Sequence, residues 1–317
     1  MIRTNRLTFV FCLLVAGIIS ACTTAPVIVR DDIAQRIAAP AQMVERTIAA
    51  DPFLLTAYER VRLQNGPADL YIEGDGEAWE TRLSQSLDPT PANPVALHLA
   101  SRDSAENVFY LARPCQYSGM LDPAQKCDAA YWGDKRFAPE VIEAYQLALD
   151  DIKARYGITK FNVIGFSGGG AIAAILAAQR DDVVSLRTVA GNLDNRTLSA
   201  HHNVSYMDGS LNPPDFAAKL ASIPQYHFIG DQDTVIPPSV LDSYLQALGS
   251  DSYSQYMVVK NADHNVGWVN IWPNLLDLMP TCDKASAAVR PAFEPVMPYD
   301  GPGMEPIYNS PETPEKP

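Results

Sequence analysis

From Phe53 to about residue 279, short runs rich in β-branched and aromatic residues alternate with stretches of helical periodicity, and this alternation leaves few architectures open. LLTAYERV, DLYIEGDG, VFYLAR, FNVIG, VVSLRTVAG, QYHFIG and QYMVV read as strands. PVALHLASR, AIAAILAAQ, DFAAKLAS, SVLDSYLQAL and WVNIWPNLLDLM read as helices, and so do residues 139–156, where Val141, Ile142, Tyr145, Leu149 and Ile152 form one apolar stripe. Strands joined through helices run parallel, and the crossovers cover the sheet on both faces. The pattern predicts an α/β fold with a mainly parallel central sheet and helices on both faces. A chain of 317 residues, 47% of them apolar, is long enough to bury such a core, and it shows no internal repeat.

The two ends read differently. Arg3 and Arg6 precede an uncharged run from Leu7 to Ile19, followed by Ile19-Ser20-Ala21-Cys22. The run is too short to cross a bilayer and reads as a signal peptide over residues 1–21. The tetrapeptide resembles the bacterial lipobox. That resemblance implies a lipid on Cys22, a membrane anchor, and a place in the cell envelope facing the periplasm, with the outer membrane favoured because Thr23 stands where an aspartate would signal retention. Residues 22–52 read as a linker and an amphipathic helix (DDIAQRI, then AQMVERTIAA) interrupted at Pro40. The main domain is expected over 53–285, and the proline-rich stretch 286–317 as an unstructured tail.

A formal charge of −13 excludes a basic groove for a phosphate backbone, so nucleic acid is not an expected partner. Beyond the signal segment and Cys22, the chain has Cys115, Cys127 and Cys282. In an oxidising compartment Cys115 and Cys127 are disulfide candidates that close the short loop CQYSGMLDPAQKC, and either one pairing with Cys282 stays open. No histidine or second cysteine stands at ligand spacing beside either of the first two, so no metal site is expected.

Between the strand FNVIG and the helix AIAAILAAQ lies Gly165-Phe166-Ser167-Gly168-Gly169, a G-x-S-x-G sequence in strand–turn–helix context. A nucleophile on so sharp a turn needs neighbours without a Cβ, and the amide after it lies at a helix start, where developing negative charge is favoured. A serine hydroxyl also needs a base and an orienting acid. His264, in the loop after the last strand, is the candidate base; His98 and His227 fall inside predicted elements and read as structural. Gly230-Asp231-Gln232-Asp233, at the end of QYHFIG, offers the acid.

With these residues the chain resembles the α/β-hydrolase superfamily over about residues 53 to 279, and in particular the poorly characterised α/β-hydrolase lipoproteins of Gram-negative bacteria. The chain order serine, acid, histidine is that family's order. The resemblance implies Ser167 as nucleophile, His264 as base with Gly267 following, and Asp233 as acid, with Asp231 as the alternative. It implies an oxyanion hole from the Gly168 amide and from the loop after an early strand. That loop reads Glu73-Gly74-Asp75-Gly76 instead of the usual His-Gly. Carboxylates there would oppose an oxyanion, so their side chains are expected to point away and the Asp75 amide to contribute. No cofactor is required. The expected substrate is a small-molecule ester or thioester, because residues 192–214 are too polar for a lipase lid; His201, His202 and Tyr206 in that segment are candidate substrate contacts. An acyltransferase would use the same triad, and a scaffold protein that kept only the fold is the non-enzymatic alternative.

Overall fold

The computed structural model describes residues 29–81, 84–117 and 127–282. Cys22, the signal segment and the stretch from residue 286 lie outside them.

Eight strands form one sheet in the order β1-β2-β6-β3-β7-β8-β9-β10. These are β1 (Val44–Ala50), β2 (Phe53–Val61), β3 (Ala68–Ile72), β6 (Asn107–Leu111), β7 (Phe161–Phe166), β8 (Val183–Val189), β9 (Gln225–Gly230) and β10 (Ser254–Val259). A small antiparallel pair, β4 (Trp79–Thr81) and β5 (Ser84–Gln85), stands apart. From β6 to β10 every neighbouring pair is parallel, while β2 runs antiparallel to both β1 and β6. The chain has the α/β-hydrolase fold.

Residues 41–50 correct the sequence reading. They were expected in a helix, yet Val44–Ala50 is a strand paired with β2 from Val44 opposite Glu59 to Ala50 opposite Phe53. The β2 strand is buried along most of its length, so its outer edge needs backbone partners that a helix would not supply. Ile48 and Ala50 alternate into the core, and Arg46 reaches Glu59 at 2.7 Å and Asp151 at 2.5 Å. The sheet therefore begins at Val44 and not at residue 53. Among the described residues of the N-terminal segment, 29–38 form a helix, α1, and Ala39–Ala41 continue it as a 3-10 turn before the strand.

Helices α3 (Pro139–Tyr156), α4 (Gly168–Gln179) and α7 (Pro238–Leu248) bury their apolar residues against one sheet face. On the other face lie α1, α2 (Val95–Ser101) and α8 (Trp272–Leu276). The α4 helix is apolar on all sides, as a helix enclosed by sheet and neighbouring helices should be. The segment 192–214, expected as a polar insertion, carries α5 (Asn195–His202), capped at its start by the Asp194 carboxylate; α6 (Ala217–Leu220) follows.

The strand order places the site. From β3 the chain crosses to β6 on one side, whereas from β7 it proceeds through β8 to β10 on the other. The helices that follow β3 and β7, α2 and α4, pack on opposite faces, so the C-terminal ends of these two strands mark the switch point of the topology. Ser167 follows β7, and Glu73–Gly76 follows β3.

Candidate active site

Ser167 links β7 to α4 with φ 51° and ψ −122°, a conformation costly for a residue with a Cβ. Hydrogen bonds hold it there. Its N–H donates to Val189 O at 3.0 Å, and its carbonyl accepts from Gly170 N and Asn192 N, both at 2.9 Å. The glycines make the turn sterically feasible: a Cβ on Gly165 would lie 2.4 Å from Gly169 O, and one on Gly169 would lie 2.3 Å from Ile72 O. Strand and helix approach so closely that no side chain fits between them.

The structure brings Ser167, His264 and Asp233 together. His264 Nε2 lies 2.9 Å from Ser167 Oγ, and His264 Nδ1 lies 3.0 Å from Asp233 Oδ2. The other Asp233 oxygen accepts from Val235 N at 2.8 Å and Ile236 N at 2.9 Å. The Asp233 side chain is 1% exposed and that of His264 13%, so the acid is buried and held on both oxygens while the imidazole keeps some exposure. With Nδ1 donating to the carboxylate, Nε2 is left to accept the serine proton. Phe166 flanks the imidazole at 5.3 Å between ring centroids, and the Trp268 indole donates to Asp263 O at 2.9 Å, bracing the loop that carries His264. Asp231 is outside this chain of contacts and pairs with Lys260 at 3.6 Å.

His98 and His227 lie elsewhere. Burial lowers His227 to about 3, and it bonds Thr188 and Gln225 inside the sheet. Burial and then the Arg102 charge lower His98 to about 4. His201 and His202 end α5 with their rings 5.0 Å apart, and His202 Nε2 meets Val235 O at 2.7 Å, beside the acid's loop. Tyr206 is exposed and has no part in the hydrogen bonds that link the three triad side chains.

The loop after β3 lies directly over the serine. A Cβ on Gly74 would come within 3.1 Å of Ser167 Cβ, and one on Gly168 within 2.0 Å of Asp75 Oδ1. The Asp75 carboxylate thus does not turn away from the site, contrary to the sequence expectation. It is neutralised in place instead: Oδ1 accepts from Arg113 Nη1 at 2.6 Å and Oδ2 from Arg136 Nη1 at 2.5 Å. Burial acts to raise the Asp75 pKa, but the Arg136 and Arg113 guanidiniums outweigh it and hold the group below the ordinary carboxylate range. Glu73 does point away. Its Oε1 accepts from Gly74 N at 2.9 Å and Ala96 N at 3.3 Å, its Oε2 accepts from the Tyr110 hydroxyl at 3.1 Å, and burial raises it to about 7.

Gln116 Nε2 also donates to Gly74 O at 3.2 Å, and Cys115 beside it is joined to Cys127 by a disulfide, leaving Cys282 free and exposed. Sequence reasoning missed Arg113, Arg136 and Gln116, which belong to no motif; the candidate disulfide next to Gln116 was the one signal in their neighbourhood. Among the described residues neither the Asp75 nor the Gly168 amide has an acceptor. Among those residues, too, no group of three or more His, Cys, Asp or Glu side chains converges as a metal ion requires.

Comparison with solved structures gives the same fold. The chain is similar to a bacterial membrane phospholipase A described as a virulence factor, with 14% identity, a TM-score of 0.52, and coverage of 86% of this chain and 97% of that one. It is similar to the Pyrococcus furiosus esterase Pf2001 at 13% identity and a TM-score of 0.52, covering 74% and 88% of the two chains. Est1E from Butyrivibrio proteoclasticus matches at 14% identity and a TM-score of 0.51 over 74% and 98%. No protein-family model matches the sequence, and no curated protein does.

Proposed function

We propose that this protein is a serine hydrolase that cleaves small esters or thioesters by acyl transfer to Ser167. The observation that carries this reading is the unbroken path Asp233–His264–Ser167, with contacts of 3.0 and 2.9 Å, at the switch point of the sheet. His264 takes the hydroxyl proton as Ser167 Oγ attacks the carbonyl carbon, and Asp233 holds the imidazole and stabilises its charged form. The free amides of Gly168 and Asp75 receive the oxyanion, with the N-terminus of α4 adding its dipole. His264 returns its proton to the leaving group, and water activated by the same imidazole then releases the acid. His201, His202 and Tyr206 are proposed to line the substrate's approach. The esterases and the phospholipase that share the fold support ester chemistry in kind. We further propose that Cys22 carries a lipid that holds the domain at the periplasmic side of the envelope, probed by mass analysis of the mature N-terminus.

The hydrolase reading is tested with p-nitrophenyl acetate and an acetyl thioester. Turnover of either, reduced by at least about 10³-fold in Ser167→Ala, is the expected result. Turnover that survives in Ser167→Ala would refute it.

A further inference from the structure

We propose that Gln116, steadied by the segment Arg113–Tyr117, is a positioning residue that aims the Asp75 amide at the reaction centre. The proposal rests on the hydrolase reading above and adds to it the device that orients one oxyanion donor.

The Gly74 carbonyl and the Asp75 N–H belong to one trans peptide, so they point in opposite directions. Whatever holds the carbonyl therefore sets the direction of the N–H. Gln116 holds it: Nε2 donates to Gly74 O and to Pro89 O, each at 3.2 Å. Its Oε1 accepts from Arg113 N at 3.0 Å, which fixes the amide's orientation by its partners. The side chain is fully buried, so water cannot take over these bonds. Ser167 Cβ would meet a Cβ on Gly74 at 3.1 Å, so the oriented peptide lies against the nucleophile.

Three further constraints converge on the same unit. The Gly74 N–H is bound by Glu73 Oε1, so the peptide groups on both sides of Gly74 are fixed. The Asp75 side chain is pinned by Arg113 and Arg136. Residues 115–117 are themselves held in an unfavourable conformation, with φ 68° at Cys115 and 61° at Tyr117; the Cys115–Cys127 disulfide and a 2.7 Å bond from Tyr117 N to Thr90 Oγ1 secure them. The acidic loop thus resolves the conflict expected from its sequence. The carboxylate that would repel an oxyanion becomes the handle by which two cations fix the loop.

The test compares wild type with Gln116→Met and Gln116→Glu. Readouts are kcat and KM for p-nitrophenyl acetate and Ki for a methyl trifluoromethyl ketone, whose carbonyl carbon bonds Ser167 Oγ while the proton passes to His264 and an oxyanion forms. Removing an oxyanion donor costs about 10²–10³ in kcat, so misaiming one is expected to cost about 10–100-fold, with KM unchanged within about twofold and Ki raised by the same factor as kcat falls. Gln116→Glu keeps the volume and the acceptor for Arg113 N–H, so it carries the test if Gln116→Met does not fold. Wild-type kcat and Ki in a folded variant would overturn the positioning role while leaving the hydrolase reading intact. An inactive wild type that also fails to bind the ketone would overturn both.

Discussion

The two loops that meet at Ser167 do the same task by opposite means. The turn after β7 is built from backbone alone: glycines let β7, α4 and β3 approach within distances no Cβ tolerates, and hydrogen bonds to Val189 and from Gly170 and Asn192 lock the strained serine. The loop after β3 is built from side chains: Glu73, Asp75, Arg113, Gln116 and Arg136 hold it through charge and hydrogen bonds. The contrast teaches that a free N–H can be aimed by steric exclusion or by a polar network, and that the two devices respond differently to perturbation. Steric packing fails together with the fold, whereas a polar network weakens in steps and with pH.

The largest effect is expected in the steric loop. Gly169→Val would force atoms against Ile72 O, where even a Cβ comes to 2.3 Å, and no soluble folded protein is expected on expression. A variant with wild-type thermal unfolding would erase the distinction between the loops.

In the polar loop, Arg113→Met leaves the largely buried Asp75 with one cation instead of two. A loss of about 3 kcal/mol in urea unfolding at neutral pH is expected, with the fold retained. The sign with pH follows from the lowered pKa of Asp75: its contribution is present above the unfolded value of 3.8 and lost as pH falls through its folded value. The variant has less of this contribution to lose, so its stability is expected to fall less steeply at the acid end, as acid titration followed by circular dichroism would show.

Glu73 gives a smaller effect of opposite sign. Its folded pKa, raised by burial from 4.5 to about 7, contributes stability that is complete below 4.5 and lost as pH rises through about 7. Glu73→Gln cannot ionise, so its stability is expected to vary less across that window, with its gain over wild type largest above it. A steeper curve in the variant would contradict the assignment. Least affected are the exposed residues of the inserted segment: Tyr206→Ala is expected to change stability by no more than about 0.5 kcal/mol, a change readable by thermal unfolding.

The same contrast explains what was legible in the sequence. Strands β7, β9 and β10 and the long helix α3 were readable because apolar period and turn residues agree locally, and the Ser167 turn because its steric demands select glycine at adjacent positions. Ser167, Asp233 and His264 each follow a readable strand, and the G-x-S-x-G motif together with the chain order of the resembled family made them the candidates. The strand β1 was not readable: VERTIAA has no strong period, and its conformation is dictated by the edge of β2. The loop after β3 was readable, but the side chains that hold it were not. Arg113 and Arg136 lie 38 and 61 residues from Asp75, and nothing local marks a side chain that will neutralise a distant carboxylate.

The decisive measurement is covalent labelling. Residues 23–317 are treated with a fluorophosphonate, which phosphonylates an activated serine as fluoride leaves, and the adduct is located by peptide mass. Labelling at Ser167 in wild type, abolished by Ser167→Ala and strongly reduced by His264→Ala, is the expected result. A folded wild-type protein that takes no label, or takes it at a different serine, would contradict the triad.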